Sequence, residues 1–384
     1  MPDFVYNNPA HRLVLGWGAR GALKTELALL GVKRPLVVCS PRAASSHEVG
    51  ALCDLLALDA DGIYSGATMH APVASAVEGG QRATLLGADC LIAFGGGSAS
   101  DLAKGIALAC AEEGHLFDFV LERAPDGSIS SPTSKRRKLP IIALPTTVSG
   151  AEVTPGFSLT DEGGGKILFR DATLAAALLI YDPELMHGVP LAVMAASGMN
   201  ALAHGFEALY SRHSNPVSGI YAREGLSRLY RSLHAIASGE RGRDVYTELA
   251  LGAYCAGVAI INARTALHHA ICHKLAPAAG LTHGIANAIM LPRVLEFNLS
   301  AARAELTTVA QSIGWPQATA EGAIAAVTEL SALAGLPARL KDAGVSSAIF
   351  PGLAQQILRE PGVSFNPRAV ASAAEIEAIL NAAW

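Results

Sequence analysis

Four histidines and one asparagine in the second half of the chain stand at spacings that would bring them to one site. Asn200 and His204 are four residues apart, as are His269 and His273, so each pair projects from one face of a helix. His283 follows in the next helical stretch. Imidazoles on facing helices can bind a divalent metal such as Fe²⁺ or Zn²⁺, or they can donate hydrogen bonds and protons to a carbonyl substrate. Both chemistries stay open, because Asn200 supplies only a neutral oxygen and this set of ligands lacks a carboxylate.

A second group of residues has the composition of a phosphate-binding turn. Gly95-Gly96-Gly97-Ser98 directly follows an apolar run and begins a helix that carries Asp101. Glycines let the backbone approach a pyrophosphate, whose charge the N–H groups of a helix N-terminus stabilise. A second apolar run is followed by three hydroxyl side chains that could bond to a ribose or to the nicotinamide amide, namely Thr146, Thr147 and Ser149. Two such turns predict a nucleotide-binding crevice.

An earlier glycine motif is a weaker candidate for the same role. Gly16-Trp17-Gly18-Ala19-Arg20-Gly21 spells G-x-G-x-x-G, but the apolar run before it is short. Where a dinucleotide site would hold an acidic ribose ligand, the chain has Ser40, with Arg42 nearby. The motif is therefore interpreted as an ordinary glycine-rich turn. Without the acidic residue that would exclude a 2′-phosphate, Ser40 and Arg42 predict that NADPH is accepted as well as NADH.

The elements that must position these residues change in type near residue 186. Before it, short apolar runs alternate with stretches of helical length, such as 71–86 and 98–112. This alternation predicts βαβ units around a mostly parallel sheet. After it, Ala/Leu-rich helical stretches are broken at glycines and prolines. We therefore predict an α/β dinucleotide-binding domain over 1–186 and an all-α substrate domain over 187–384. The segment 113–138 fits neither pattern and is interpreted as a surface loop. The apolar runs predicted as strands are 36–39, 61–64, 90–94, 139–144 and 177–181.

Composition narrows the classes of function. Of 384 residues, 51% are hydrophobic, which indicates a large folded body, and 29 basic against 33 acidic residues leave no excess of positive charge for a nucleic-acid partner. The six cysteines form no CxxC pair and are interpreted as reduced thiols. The N-terminus does not resemble an export signal, and no uninterrupted apolar window is long enough to cross a membrane. These features predict a cytoplasmic protein without a membrane partner.

Taken in order, the motifs resemble the iron-containing alcohol dehydrogenase superfamily over nearly the whole chain. The resemblance implies a dehydroquinate synthase-like fold, a pyrophosphate held by the Gly95-Gly96-Gly97-Ser98 turn, NADH or NADPH as cofactor, and a homodimer. The motifs that carry it are Gly95–Ser98 with Asp101 and Lys104, Pro145-Thr146-Thr147 with Glu152-Val153-Thr154, Tyr181-Asp182-Pro183-Glu184-Leu185, Ser197–His204 and His283–Ala288.

Within the superfamily the chain is similar to the maleylacetate reductases. Metal-dependent members hold Fe²⁺ or Zn²⁺ through one Asp and three His, and the matching positions here are Asn200, His204, His269 and His283. Asparagine at the first position, with the runs Met69–Val73 and Leu267–His273, is similar to the reductases. Those enzymes need no metal and reduce the conjugated C=C bond of maleylacetate to give 3-oxoadipate. The resemblance implies that a divalent metal is possible but not essential.

A substrate of this kind carries two carboxylates and would need basic side chains. Lys166, Arg170 and Arg264 are the candidates, and Lys166 could instead reach the cofactor, as a lysine does in relatives. Two departures keep other functions open: Asp101 stands where the reductases tend to have glycine, and the segment 113–138 is longer than theirs. One alternative is a metal-dependent alcohol dehydrogenase or carbonyl reductase with Asn200 among the ligands. The other is a nucleotide-binding protein that has lost catalysis.

Overall fold

The chain divides into two compact units. The computed structural model describes residues 4–68, 71–123, 129–130 and 132–384, so Met69 and His70 of the reductase-like run, and residues 124–128 and 131 of the segment 113–138, lie outside the described residues. The α/β unit comprises Pro9–Glu122 and the described part of Ser130–Val189. The helical unit comprises Pro190–Trp384 with the described parts of Met1–Asn8 and Arg123–Ile129.

The α/β unit is built on a parallel sheet of six strands in the order β3-β2-β4-β7-β10-β1. The remaining strands form two-stranded pairs, β5 with β6 and β8 with β9. The strands are β1 (Arg12–Leu15), β2 (Pro35–Val38), β3 (Ile63–Tyr64), β4 (Cys90–Gly95), β5 (Glu122–Arg123), β6 (Ile129–Ser130), β7 (Ile141–Pro145), β8 (Gly156–Thr160), β9 (Lys166–Arg170) and β10 (Leu178–Tyr181). The helices are α1 (Leu23–Leu30), α2 (Pro41–Ala44), α3 (His47–Leu56), α4 (Val73–Leu85), α5 (Gly97–Ala111) and α6 (Pro183–His187).

The apolar runs form the central strands because parallel strands are covered on both faces. Every residue of β2, β7 and β10 is buried, and β4 is buried up to Phe94. The five predicted strands and the two crossover helices are confirmed, since α4 and α5 fall within 71–86 and 98–112, give or take one residue. The antiparallel hairpin of β8 and β9 was not predicted.

The order of the strands reverses between β2 and β4. From β2 the chain continues to β3 on one side, and it then crosses back to β4 on the other side of β2. Ligands of open α/β sheets bind at the carboxyl ends of the strands where the order reverses in this way. Ser40 follows β2 and Gly96 follows β4, so both lie at this edge.

The helical unit is confirmed as all-helical in its long C-terminal part. Its core includes one large apolar cluster contributed mainly by α10, α11, α14 and α15. The helices end near the predicted breakers; Pro216 begins α8, and α12 is closed by Gly314 with φ of 75°. The helices are α7 (Leu191–Tyr210), α8 (Pro216–Ala237), α9 (Arg243–Ala263), α10 (Leu267–Ala278), α11 (His283–Asn298), α12 (Arg303–Ile313), α13 (Ala320–Leu333), α14 (Phe350–Leu358) and α15 (Ala373–Ala382).

Helix α9 is the one described helix whose length and hydropathy would suit a membrane span, and 67% of its most apolar window is buried within the protein. Such burial is typical of the core helix of a folded domain. The six cysteines are all free thiols.

Candidate active site

The glycine turn after β4 and the hydroxyl turn after β7 meet at the carboxyl edge of the sheet. The Thr146 N–H donates a hydrogen bond to the Gly95 carbonyl at 2.9 Å. A Cβ atom at Gly96 would lie 2.9 Å from Thr147 Oγ1, and one at Gly97 would lie 3.3 Å from Ser149 Oγ. No side chain caps the N-terminus of α5 among the described residues, so its first N–H groups are available to an anion. The turn therefore fits the pyrophosphate of a dinucleotide, and the structure brings together the predicted residues Gly95–Ser98, Thr146, Thr147 and Ser149.

A buried network of charged groups contacts the segment that directly follows the hydroxyl turn. The Lys104 ammonium donates to the carbonyls of Ala151 at 2.6 Å and Gly156 at 3.0 Å. The Glu152 carboxylate accepts a hydrogen bond from the Tyr181 hydroxyl. Burial lowers the pKa of Lys104 and raises the pKa of Glu152, and the attraction between these two groups opposes both shifts. Sequence analysis recognised Lys104 and Glu152 only as parts of motifs and did not predict that they hold this turn.

The remaining cofactor candidates differ in what they contact. Asp101 Oδ2 accepts hydrogen bonds from the N–H and the hydroxyl of Ser158 at 3.1 and 3.2 Å, which directs this carboxylate toward β8. Ser40 caps α2, because its hydroxyl accepts from the Ala43 N–H at 3.2 Å. Arg42 lies two residues further on and is exposed. The Ser40 hydroxyl is therefore engaged in capping, whereas the guanidinium of Arg42 is accessible to a nucleotide.

Lys166 stands at the start of β9, in register with Thr160 in the hairpin. Nothing in this pairing by itself joins Lys166 to the glycine turn. Its role at the cofactor therefore stays a prediction.

The earlier glycine motif belongs to a turn that binds a side chain of the protein itself. The N–H groups of Gly18 and Arg20 donate to the two carboxylate oxygens of Asp182 at 2.8 and 3.2 Å. The Arg20 guanidinium adds an ion pair at 2.7 Å, and Asp182 is fully buried. Because a carboxylate already occupies these N–H groups, the geometry supports the interpretation as a structural turn.

The five polar residues predicted in the helical half come together around His269. Asn200 Oδ1 lies 3.2 Å from His269 Nε2, and the rings of His204 and His269 stack with their centroids 4.6 Å apart. The centroids of His273 and His283 are each 6.0 Å from that of His269 and 5.7 Å from one another. Burial, followed by the neighbouring imidazoles, lowers the pKa of His204 well below its usual range. The cluster is thus a set of close-packed and largely buried rings.

Glu207 is a member of the cluster that sequence analysis missed. Its Oε2 lies 2.6 Å from His269 Nδ1, and its Oε1 accepts the backbone N–H of His269 at 3.3 Å. Burial raises the pKa of Glu207, whereas His268 and the backbone N–H groups at 266, 268 and 269 lower it. The signal was present: Glu207 follows His204 by three positions and Asn200 by seven, the spacing of one helix face.

His268 and His269 are adjacent, and they face different partners. His268 Nε2 lies 2.6 Å from Asn287 Oδ1, and the Asn287 amide donates to the His283 carbonyl at 2.7 Å. Burial lowers the pKa of His268 to about 4, with His269 contributing next. His268 therefore ties α10 to α11, and His269 is the neighbour that faces Asn200.

His273 is the cluster histidine beside an ionic group of the protein. Its Nδ1 lies 3.8 Å from Glu360 Oε2, and Glu360 also pairs with Lys274 at 2.9 Å. The His273 side chain is 18% exposed, against 2% for His269. His273 can therefore exchange protons with solvent far more readily than His269 can.

The arrangement of the rings does not fit a metal ion. An imidazole nitrogen binds metal along its lone pair, which lies in the plane of the ring. The planes of His204 and His269 are only 7° from parallel and stacked, so their lone pairs cannot converge on one ion. His269 Nε2 already contacts Asn200, which contributes no negative charge. Within the described part of the chain, no three His, Cys, Asp or Glu side chains are placed as metal ligands.

Comparisons with known proteins agree with this two-part construction. Residues 10–183 match the family model described as iron-containing alcohol dehydrogenase, and residues 194–384 match its C-terminal counterpart. A maleylacetate reductase from Burkholderia cepacia is 32% identical over 90% of this chain and 88% of that protein. The crystal structure of maleylacetate reductase from Agrobacterium tumefaciens is 29% identical, with a TM-score of 0.82 over 100% of this chain and 99% of that one.

A second solved structure, 1,3-propanediol oxidoreductase, is 29% identical, with a TM-score of 0.90 over the whole of both chains. The α/β architecture followed by a helical region is therefore that of these proteins. The chain belongs to the iron-containing alcohol dehydrogenase family of oxidoreductases and, within it, is similar to the maleylacetate reductases.

Proposed function

We propose that the protein uses NADH or NADPH to reduce the conjugated C=C bond of maleylacetate, giving 3-oxoadipate, without a metal ion. The observation that carries this proposal is the contact of Asn200 with His269 Nε2, which puts a neutral amide where a metal site of this family would need a carboxylate. Similarity to maleylacetate reductases over most of the chain supports the same substrate.

The chemistry requires a stabilised enolate. The reduced nicotinamide, when bound, supplies a hydride to the alkene carbon β to the ketone. The electron pair of the C=C bond then moves toward the ketone oxygen, which becomes an enolate oxygen. The amide of Asn200 and the imidazoles around it are the groups that would donate hydrogen bonds to this oxygen. Because the cluster is buried, such hydrogen bonds are much stronger than they would be in water.

A proton must then reach the carbon α to the ketone to complete the product. We assign this step to His273, whose ring lies beside His269 and His283 and is the better connected to solvent. An imidazole in contact with solvent can both donate a proton and regain one from water. The sum of the steps consumes one hydride and one proton per substrate molecule.

Arg264 is the basic residue that we propose for a substrate carboxylate. It belongs to the helical unit together with the histidines, whereas Lys166 and Arg170 belong to the α/β unit. Burial lowers the pKa of Arg264, and no carboxylate of the described residues lies within ion-pair distance of it. Its φ of 65° places it in the left-handed region that favours glycine, a strain that is concentrated at functional sites. A half-buried cation without a carboxylate partner among the described residues supports a dicarboxylate substrate.

The test is oxidation of NADH with maleylacetate after exhaustive treatment of the protein with a chelator. We expect turnover at the untreated rate and formation of 3-oxoadipate. Turnover that vanishes with the metal and returns with Fe²⁺ or Zn²⁺ would overturn the metal-free part of the proposal.

A protein inactive with maleylacetate but active on an alcohol such as 1,3-propanediol would instead be a metal-dependent alcohol dehydrogenase, to which the similarity with 1,3-propanediol oxidoreductase also points. Binding of NADH without any turnover would indicate a protein that has lost catalysis.

A further inference from the structure

We propose that Glu207 is the positioning residue of this site: its carboxylate holds the Nδ1 proton of His269 and thereby directs Nε2 at Asn200. The geometry is a continuous line of contacts across one imidazole. Glu207 Oε2 lies 2.6 Å from Nδ1 on one side, and Asn200 Oδ1 lies 3.2 Å from Nε2 on the other. Glu207 is fully buried and His269 is 2% exposed, so water does not compete for either nitrogen.

Glu207 lies at the N-terminus of α10, where backbone N–H groups face its carboxylate. The N-terminal residue Ala266 offers α10 no side-chain cap, and Glu207 takes that place from α7. The backbone N–H groups at 266, 268 and 269 point toward its carboxylate, with the one from His269 at 3.3 Å. Unpaired N–H groups at a helix N-terminus stabilise a negative charge. The carboxylate accepts from these N–H groups, so the proton between Glu207 and His269 is assigned to Nδ1. Nε2 of the neutral ring is then an acceptor, and a rotation of the Asn200 amide that exchanges Oδ1 and Nδ2 lets its NH₂ group donate to Nε2.

The two carboxylate oxygens of Glu207 have different partners, one for capping α10 and one for positioning His269. Oε1 accepts the backbone N–H of His269, while Oε2 faces the imidazole. A 180° flip of the ring would put Cδ2 in the place of Nδ1 and Cε1 in the place of Nε2, so that carbon atoms would face Glu207 and Asn200. The contact with Oε2 opposes this flip, so Glu207 sets which atom of His269 is presented to the catalytic site. The consequence for turnover rests on the proposed function, whereas the position of the proton does not.

Glu207→Gln separates the two roles. The amide oxygen of glutamine can keep the backbone N–H bonds, which leaves its NH₂ group facing Nδ1. Because an NH₂ group must donate, we expect the proton of His269 to move to Nε2. Nitrogen-15 NMR of histidine-labelled protein reports which nitrogen is protonated, and the His269 signals are assigned from their absence in His269→Asn. In the unsubstituted protein Nδ1 should be protonated, and in Glu207→Gln it should be unprotonated.

Turnover provides the second readout. We expect kcat for maleylacetate to fall about 10- to 100-fold in Glu207→Gln, the range seen when an orienting carboxylate behind a histidine is removed, with KM for NADH unchanged. The matched control is Glu224→Gln, which removes an exposed carboxylate paired with Arg228 on α8 and should alter neither signal nor rate.

Two outcomes would overturn the inference. An unprotonated Nδ1 in the unsubstituted protein would overturn it, and so would a Glu207→Gln protein with unchanged spectrum and kcat. If Glu207→Gln does not fold, the spectrum of the unsubstituted protein decides alone. If the protein does not turn over maleylacetate at all, the proposed function fails, while the NMR measurement still decides the role of Glu207.

Discussion

The two candidate sites of this molecule differ in the chemical groups that form them. In the α/β unit the site is backbone: the glycine turn Gly95–Ser98 leaves N–H groups without a side-chain cap, and its glycines have little room for a Cβ atom. In the helical unit it is side chains from three helices, packed so closely that ring centroids lie 4.6 to 6.0 Å apart. In the glycine turn, the free energy of binding is shared among several backbone N–H groups. In the histidine cluster, it depends on single side-chain atoms. Substitutions should therefore have graded effects in the first site and large effects in the second.

The largest effect should come from His269→Gln. His269 is the ring that contacts Asn200, His204 and Glu207, so its loss removes the centre of the cluster. We expect kcat/KM for maleylacetate to fall by about 10²- to 10³-fold, the usual cost of removing a group that stabilises a developing oxyanion, while the affinity for NADH measured by fluorescence stays the same. The control is His234→Asn, a half-buried histidine of α8 that contacts Tyr230. An equal loss of NADH affinity would show that the two sites are not separable.

Asn200→Asp is the next largest effect and tests the neutrality of the cluster. The substitution places a second buried carboxylate across His269 from Glu207 and turns a hydrogen-bond donor into an anion facing the developing enolate. We expect kcat in chelator-treated protein to fall by roughly 100-fold, because an unpaired buried anion is costly and repels the enolate oxygen. Asn381→Asp, on the exposed face of α15, makes the same chemical change elsewhere. Full metal-free activity of Asn200→Asp would contradict our assignment of the amide.

Gly96→Ala and Gly21→Ala compare the two glycine motifs directly. A Cβ at Gly96 meets Thr147 Oγ1 at 2.9 Å, whereas one at Gly21 meets no atom within 4 Å. Overpacking of this kind costs about 1–3 kcal/mol, so the Kd for NADH should rise by about 5- to 150-fold in Gly96→Ala. The value of kcat at saturating NADH should be nearly unchanged, since the histidines are untouched. Gly21→Ala should bind NADH normally, and weaker binding there would restore the earlier motif as a cofactor site.

The two sites also differed in how far the sequence could predict them. The glycine turn was recognisable because strand, turn and helix are contiguous, and the paired histidines because helical spacing is regular. The hairpin of β8 and β9 was missed although Phe157, Ser158 and Leu159 alternate in polarity before a glycine-rich turn. The partnership of Glu207 with His269 could not be predicted, since it joins residues 62 positions apart through the packing of two helices.

The acidic and basic candidates for the cofactor site stay predictions. Sequence alone placed Asp101 and Lys166 beside the nucleotide. The structure shows that Asp101 bonds to Ser158 and that Lys166 begins a strand of the hairpin. Spacing along the chain identifies which residues share a face, but the direction of a long side chain depends on neighbours that are distant in sequence.

The smallest effect should come from Arg42→Asp, at an exposed position near the glycine turn. The Ser40 hydroxyl is engaged in capping α2, so Arg42 is the group left to attract a 2′-phosphate at the switch point. Because Arg42 is exposed, its charge contributes little, about 1 kcal/mol, and kcat/KM for NADPH should fall less than 10-fold while that for NADH is unchanged. Arg34→Asp changes the net charge equally at the opposite end of β2 and should leave the NADPH-to-NADH ratio alone. An unchanged ratio in Arg42→Asp would contradict the assignment of Arg42 to the 2′-phosphate.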